Sequence, residues 1–96
     1  MGRINQAKIE KATELLKRVI NLNKAAAPGF SYNLEFTGAT RGLYFYKHKL
    51  INPKTREYEP VFMYYCYLDE DDLADTLSGV EAAIAAEEQK IKEEQQ

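Results

Sequence analysis

The sequence is poor in the residues on which most recognisable chemistry is built. It has one cysteine, one histidine and no tryptophan. With Cys66 alone no internal disulfide can form, and such cysteine usage suits a reducing compartment. With only His48 beside it, the chain lacks the clustered ligands of a zinc site. Asp69, Asp71 and Asp72 form the one dense acidic group, but they lack the loop glycine and distal glutamate of a calcium hand. No metal or cofactor is expected. The longest apolar run is Val61 to Leu68, far short of the about 20 residues that a membrane-spanning helix needs. Met1-Gly2-Arg3 leads straight into an amphipathic pattern with no apolar signal segment, so a cytoplasmic location is expected.

Catalytic motifs are equally scarce. Gly38-Ala39-Thr40-Arg41-Gly42 matches neither a phosphate-cradling loop nor a dinucleotide fingerprint. Ser31 and Ser78 have no nucleophile signature around them. A Cys66–His48 pair would be the obvious nucleophilic arrangement. A turn centred on Pro53-Lys54 argues against it. That turn sets His48 opposite Glu59 and carries Cys66 beyond Tyr44, roughly 20 Å from the histidine. The expectation is a protein that is not an enzyme.

What the chain does contain suits one domain spanning 1–96. It has 96 residues, 45% hydrophobic and 29% charged, which fits a small globular protein with a modest core. Its net charge of −2 hides a division. Residues 1–56 hold eleven Lys or Arg against three Asp or Glu, whereas residues 57–96 hold two against twelve. The halves either present separate basic and acidic surfaces or neutralise each other within the fold.

Periodicity predicts α-β-β-β-α, an α+β fold with a three-stranded antiparallel meander and N- and C-terminal helices. A first helix over residues 4–26 gathers Ile4, Ile9, Ala12, Leu15, Leu16, Val19, Ile20, Leu22 and Ala26 within an arc of roughly 160°. A stripe that wide calls for a sheet, and Pro28-Gly29 stops the helix. Strands are predicted at 32–37, 43–49 and 58–68. Asp69-Glu70-Asp71-Asp72 is suited to open a second helix, with Leu73, Leu77, Val80, Ile84 and Ile91 as a stripe about 60° wide. Glu87 occupies the slot between Ile84 and Ile91. The stretch 87–96 is strongly polar and is expected to fray. A helix over 70–95 would extend about 39 Å and overhang the sheet.

Alternation within the strands separates two faces. Leu43, Phe45, Lys47, Phe62, Tyr64, Cys66 and Leu68 fall on one, which makes the better core. Tyr44, Tyr46, His48, Val61, Met63, Tyr65 and Tyr67 fall on the other. Leu34 and Phe36 of the first strand can join either. Helix 1 is expected on the Phe45 face with helix 2 beside it. Tyrosine and methionine are favoured at contact surfaces. Tyr44, Tyr46, Met63, Tyr65 and Tyr67 are therefore the candidate partner-binding residues. Lys47, His48, Lys49, Lys54 and Arg56 form a basic hairpin interleaved with tyrosines, and are candidate phosphate-binding residues. The order α-β-β-β-α is also that of double-stranded RNA-binding domains. Those open their second helix on a lysine-rich cluster, where this chain has Asp69-Glu70-Asp71-Asp72, so membership is not inferred.

These features predict a non-enzymatic protein-binding or regulatory module that uses an aromatic sheet face. It would act on a protein partner or as a homodimer, and would suit an inhibitor encoded by a virus or mobile element. The alternative is a nucleic-acid-binding module that uses the basic hairpin.

Overall fold

The computed structural model describes residues 4–69 and 76–94. Its elements are α1 (Gln6–Ala25), β1 (Phe30–Thr37), β2 (Gly42–Asn52), β3 (Glu57–Tyr67) and α2 (Thr76–Glu94), in the expected order. Helix α1 starts where Asn5, with extended backbone, accepts a 2.9 Å hydrogen bond from the amide of Lys8 at an otherwise unpaired N-terminal turn. It stops before Pro28. Gly29 then takes φ 88°, a left-handed conformation that glycine adopts without steric penalty. The acidic cap predicted for helix 2 lies, apart from Asp69, outside the described residues, as does Leu73.

The strands form one sheet in the order β1-β2-β3, antiparallel throughout. Both hairpins have four-residue loops, 38–41 and 53–56, and the last residue of each is an arginine in the left-handed region, Arg41 at φ 59° and Arg56 at φ 57°. The loop before β3 is two residues longer than the expected turn, so Leu43 pairs with Cys66 and Tyr44 with Tyr65. His48 lies opposite Pro60 rather than Glu59. From Phe62 to Tyr67 the even offset keeps each side chain on its expected face, whereas the irregularity at Lys47/His48 carries Tyr58 to the face of Tyr46 and His48. Two irregularities, at Lys47/His48 and at Leu50/Asn52, add one residue to each strand and cancel. Non-glycine residues in the left-handed region are strained by about 1 kcal/mol. Arg41→Gly and Arg56→Gly should therefore each raise stability by about 0.5–1 kcal/mol, readable as a higher urea midpoint with an unchanged slope.

Both helices pack on the same side of the sheet, over Phe45. The buried core joins Leu15, Val19 and Leu22 of α1 to Val80, Ile84 and Ile91 of α2, across Tyr32, Leu43, Phe45, Cys66 and Leu68. The register places Leu34 and Phe36 of β1 on this helix side, beside Phe45 and Leu43. Part of the divided charge is paired within this layer. The Arg18 guanidinium takes Glu88 in a two-pronged hydrogen bond of 3.1 and 2.6 Å and donates to Glu81 at 3.0 Å. Lys11 also pairs with Glu81. The hydrogen bond and charge of Lys11, then those of Arg18, outweigh the effect of burial and hold the Glu81 carboxyl below its ordinary value.

The expected overhang of helix 2 is not seen. Helix α2 is regular up to Glu94, Ile91 belongs to the core, and Glu94 lines a small cavity with Ala27 and Phe30. The slot at Glu87 has a partner. This carboxylate is 4% exposed and accepts hydrogen bonds from Lys47 Nζ at 3.2 Å and from the Tyr32 hydroxyl at 3.1 Å. The Lys47 ammonium also lies 4.7 Å from the ring centre of Phe30 and 5.0 Å from that of Tyr32.

Candidate partner-binding face

Both helices lie on one side, and among the described residues no element covers the opposite face of the sheet. Its aromatic residues come from β2 and β3 by alternation, except that the bulge at Val61 adds Tyr58. The rings form two rows. Tyr44 stacks on Tyr65 with centres 5.9 Å apart, and Tyr65 meets Tyr67 edge-on at 5.8 Å. Tyr46 packs against His48 at 5.0 Å, and His48 reaches Tyr58 at 6.1 Å. Met63 lies across from Tyr46 in the register, which joins the rows. Contacts of this kind between neighbouring rings, within and across the strands, hold each in place.

The central strand's tyrosines are further fixed by their hydroxyls. Tyr46 donates to Glu35 of β1 at 3.1 Å. Burial, then this hydrogen bond and the glutamate's charge, raise the Tyr46 phenol above its usual value. The Tyr44 hydroxyl is 3.3 Å from that of Thr40. The Tyr44 ring folds back over Gly42, so that a Cβ there would lie 2.7 Å from it. Glycine at 42 is thus what allows the ring to lie flat on the strand. Rings already held in one position lose little freedom on meeting a partner.

Exposure is uneven across this face. Tyr44, Tyr46, His48 and Tyr67 are half-buried by their neighbours. Met63 and Tyr65 are 59% and 54% exposed, and Val61 and Tyr58 are similarly open. The large exposed side chains of the face therefore concentrate on β3, at the sheet's edge. All five candidate partner-binding residues share this one surface.

The five candidate phosphate-binding residues do not share one. Lys47 turns to the helix layer and pairs with Glu87. Lys49 alternates to that same side, and His48 joins the aromatic row instead. Lys54 and Arg56 sit exposed in the 53–56 turn. Cys66 is buried on the helix side, opposite Leu43, so it lies five residues along the ladder from His48 and on the other face. Among the described residues no group of three or more His, Cys, Asp or Glu is placed to hold a metal ion, and no helix is long and apolar enough to cross a membrane.

A second apolar surface was not singled out by sequence reasoning. Helix α1 and β1 frame a groove of about 420 Å³, lined by Ile4, Ile9, Ala12, Leu16, Leu34, Phe36, Leu43 and Leu68 with Thr13. The signal for it was the width of the α1 stripe. The core takes Leu15, Val19 and Leu22, and leaves Ile9, Leu16 and Ile20 about half exposed.

Comparison of the chain with protein-family models, with curated proteins and with solved structures gave no match.

Proposed function

We propose that this domain is a non-enzymatic protein-binding module, regulatory or inhibitory in role, whose contact surface is the open aromatic face of the sheet. The observation that supports it most is the concentration of Met63, Tyr65, Val61 and Tyr58 in exposed positions beside rings that are already immobilised. Large amphipathic side chains on a rigid support are the usual anchors of protein interfaces. A reducing, cytoplasmic setting suits the single, buried Cys66.

The alternative, nucleic-acid binding through the basic hairpin, has less support. Its five residues are divided among two faces and a turn, and Lys47 is already neutralised by Glu87. Phosphate binding would give retention on single- or double-stranded nucleic acid that falls steeply with added salt.

The double variant Met63→Ala/Tyr65→Ala tests the favoured reading. Both side chains are more than half exposed, so the denaturation midpoint should hardly move. Association should fall about tenfold or more, read as recovery of bound protein on the immobilised domain and as mass in solution. Leu16→Ala/Ile20→Ala, on the helix side of the sheet, is the matched control and should change neither. Unaltered association in a folded Met63→Ala/Tyr65→Ala variant refutes the assignment.

A further inference from the structure

The two edges of the sheet are treated differently. On β1, the Asn23 side chain of α1 imitates a neighbouring strand: its amide donates to the Tyr32 carbonyl at 2.7 Å, and its carbonyl accepts from the Tyr32 amide at 2.8 Å. At Tyr32 that edge is occupied by the protein's own helix. On β3, no other strand pairs along the outer side among the described residues. Free sheet edges are ordinarily guarded by lysines, other charges or prolines. Here the guards, Glu57, Glu59 and Pro60, stand only at the start of the strand, and Asp69 follows its end. Between them Val61–Tyr67 has no charge and no proline.

The hydrogen-bond phase of this window follows from one contact. The Leu68 amide donates to the Arg41 carbonyl at 2.9 Å. Hydrogen-bonded and non-hydrogen-bonded pairs alternate along an antiparallel ladder, and the register is unbroken from Gly42–Tyr67 to Lys47–Phe62. Cys66, Tyr64 and Phe62 therefore turn their main-chain groups inward to β2. Met63 and Tyr65 turn theirs outward.

We propose that this edge pairs with the same edge of a second copy, giving a two-fold dimer with a continuous six-stranded sheet. The inference rests on the protein-binding reading and names the partner. Antiparallel pairing about an axis at Tyr64 sets Met63 beside Tyr65 of the second copy, and Val61 beside its Tyr67. Each outward amide and carbonyl at Met63 and Tyr65 then meets a complementary group, about four main-chain hydrogen bonds around the axis. The same register lays the uncharged window on itself. It brings the Glu59 end of each copy near the Asp69 end of the other, so like charges oppose extension past either end. This is a self-complementary patch of the kind a two-fold interface requires. An axis perpendicular to the sheet keeps both helix layers on one side. The two aromatic faces merge into one.

Mass in solution by light scattering or sedimentation, at high micromolar concentration, should give twice the 11.0 kDa of one chain. Backbone amide exchange supplies the specific readout. The amides of Met63 and Tyr65 should become protected as concentration rises, whereas those of Phe62, Tyr64 and Cys66 are protected at every concentration. Met63→Pro removes an outward donor at an edge position, where proline is tolerated, and should weaken the dimer at least tenfold more than Met63→Ala does. Lys17→Ala, exposed on α1, should leave the dimer intact. A monomer at all concentrations overturns the inference. So does a dimer whose Met63 and Tyr65 amides exchange freely, or one lost in Leu16→Glu but kept in Met63→Pro. If Met63→Pro fails to fold, amide exchange on the unaltered protein decides alone. Loss of association in Met63→Ala/Tyr65→Ala with freely exchanging edge amides would leave the aromatic contact face standing and remove only the strand pairing.

Discussion

Phe45→Ala is expected to destabilise the domain by about 4 kcal/mol, a large part of the 5–15 kcal/mol typical of a chain this size. Phe45 has no exposed surface and lies on the central strand, beneath both helices. Its ring stacks nearly parallel to Tyr32, with centres 6.2 Å apart, and meets Phe62 at 5.5 Å. Truncation removes the burial of a whole ring and leaves a void. The void is bounded by elements that cannot close over it without moving, because α1 and α2 are tied to each other through Arg18. Met63→Ala, on the other face of the adjacent strand, should alter stability by less than about 0.5 kcal/mol. Urea denaturation of the two variants measures the contrast. Similar losses in both would mean that the helices do not lie on the Phe45 side.

Removal of the Glu87 carboxylate is the second large effect. Glu87→Ala leaves Lys47 and the Tyr32 hydroxyl without their acceptor in a site that water barely reaches. Breaking a buried ion pair from one side costs about 3–5 kcal/mol. The Lys47 side chain retains 17% of its exposure, so about 2–3 kcal/mol is the better expectation. Lys47→Met/Glu87→Leu removes both charges and should recover most of that loss. A double-mutant cycle on denaturation free energies gives the coupling.

The same pair makes a prediction about acid. Burial pushes the Glu87 carboxyl up, but hydrogen bonds from Lys47, Lys90 and Tyr32 outweigh it and hold it below its ordinary value. A carboxyl depressed on folding stabilises the native state fully above its unfolded value, and that contribution disappears as pH falls through the folded one. Stability should therefore decline below about pH 4, and Lys47→Met/Glu87→Leu should show a shallower decline over that window. Equal acid slopes in the two proteins would show that Glu87 carries none of it.

Strand alternation is a local property, and it was legible. Tyr44, Tyr46, Met63, Tyr65 and Tyr67 could be placed together because period-two reading survives any even error in register. The actual pairing differs by two residues, and its two bulges cancel. The Lys47 reading shows the limit. Alternation put Lys47 on the core face, while its sequence neighbours suggested a basic patch. Only the position of Glu87, forty residues away, decides between the two. Asn23 was equally silent: a polar residue on a helix gives no local sign that it will close a sheet edge.

The order of the elements, the two characters of the central hairpin and the breadth of the α1 stripe were determined by the sequence alone, because turn chemistry and periodicity act between near neighbours. The tertiary structure decided which face stays open, which edge is closed, and which charges are used internally. Those outcomes depend on both helices choosing one side of the sheet, and contacts between residues tens of positions apart make that choice.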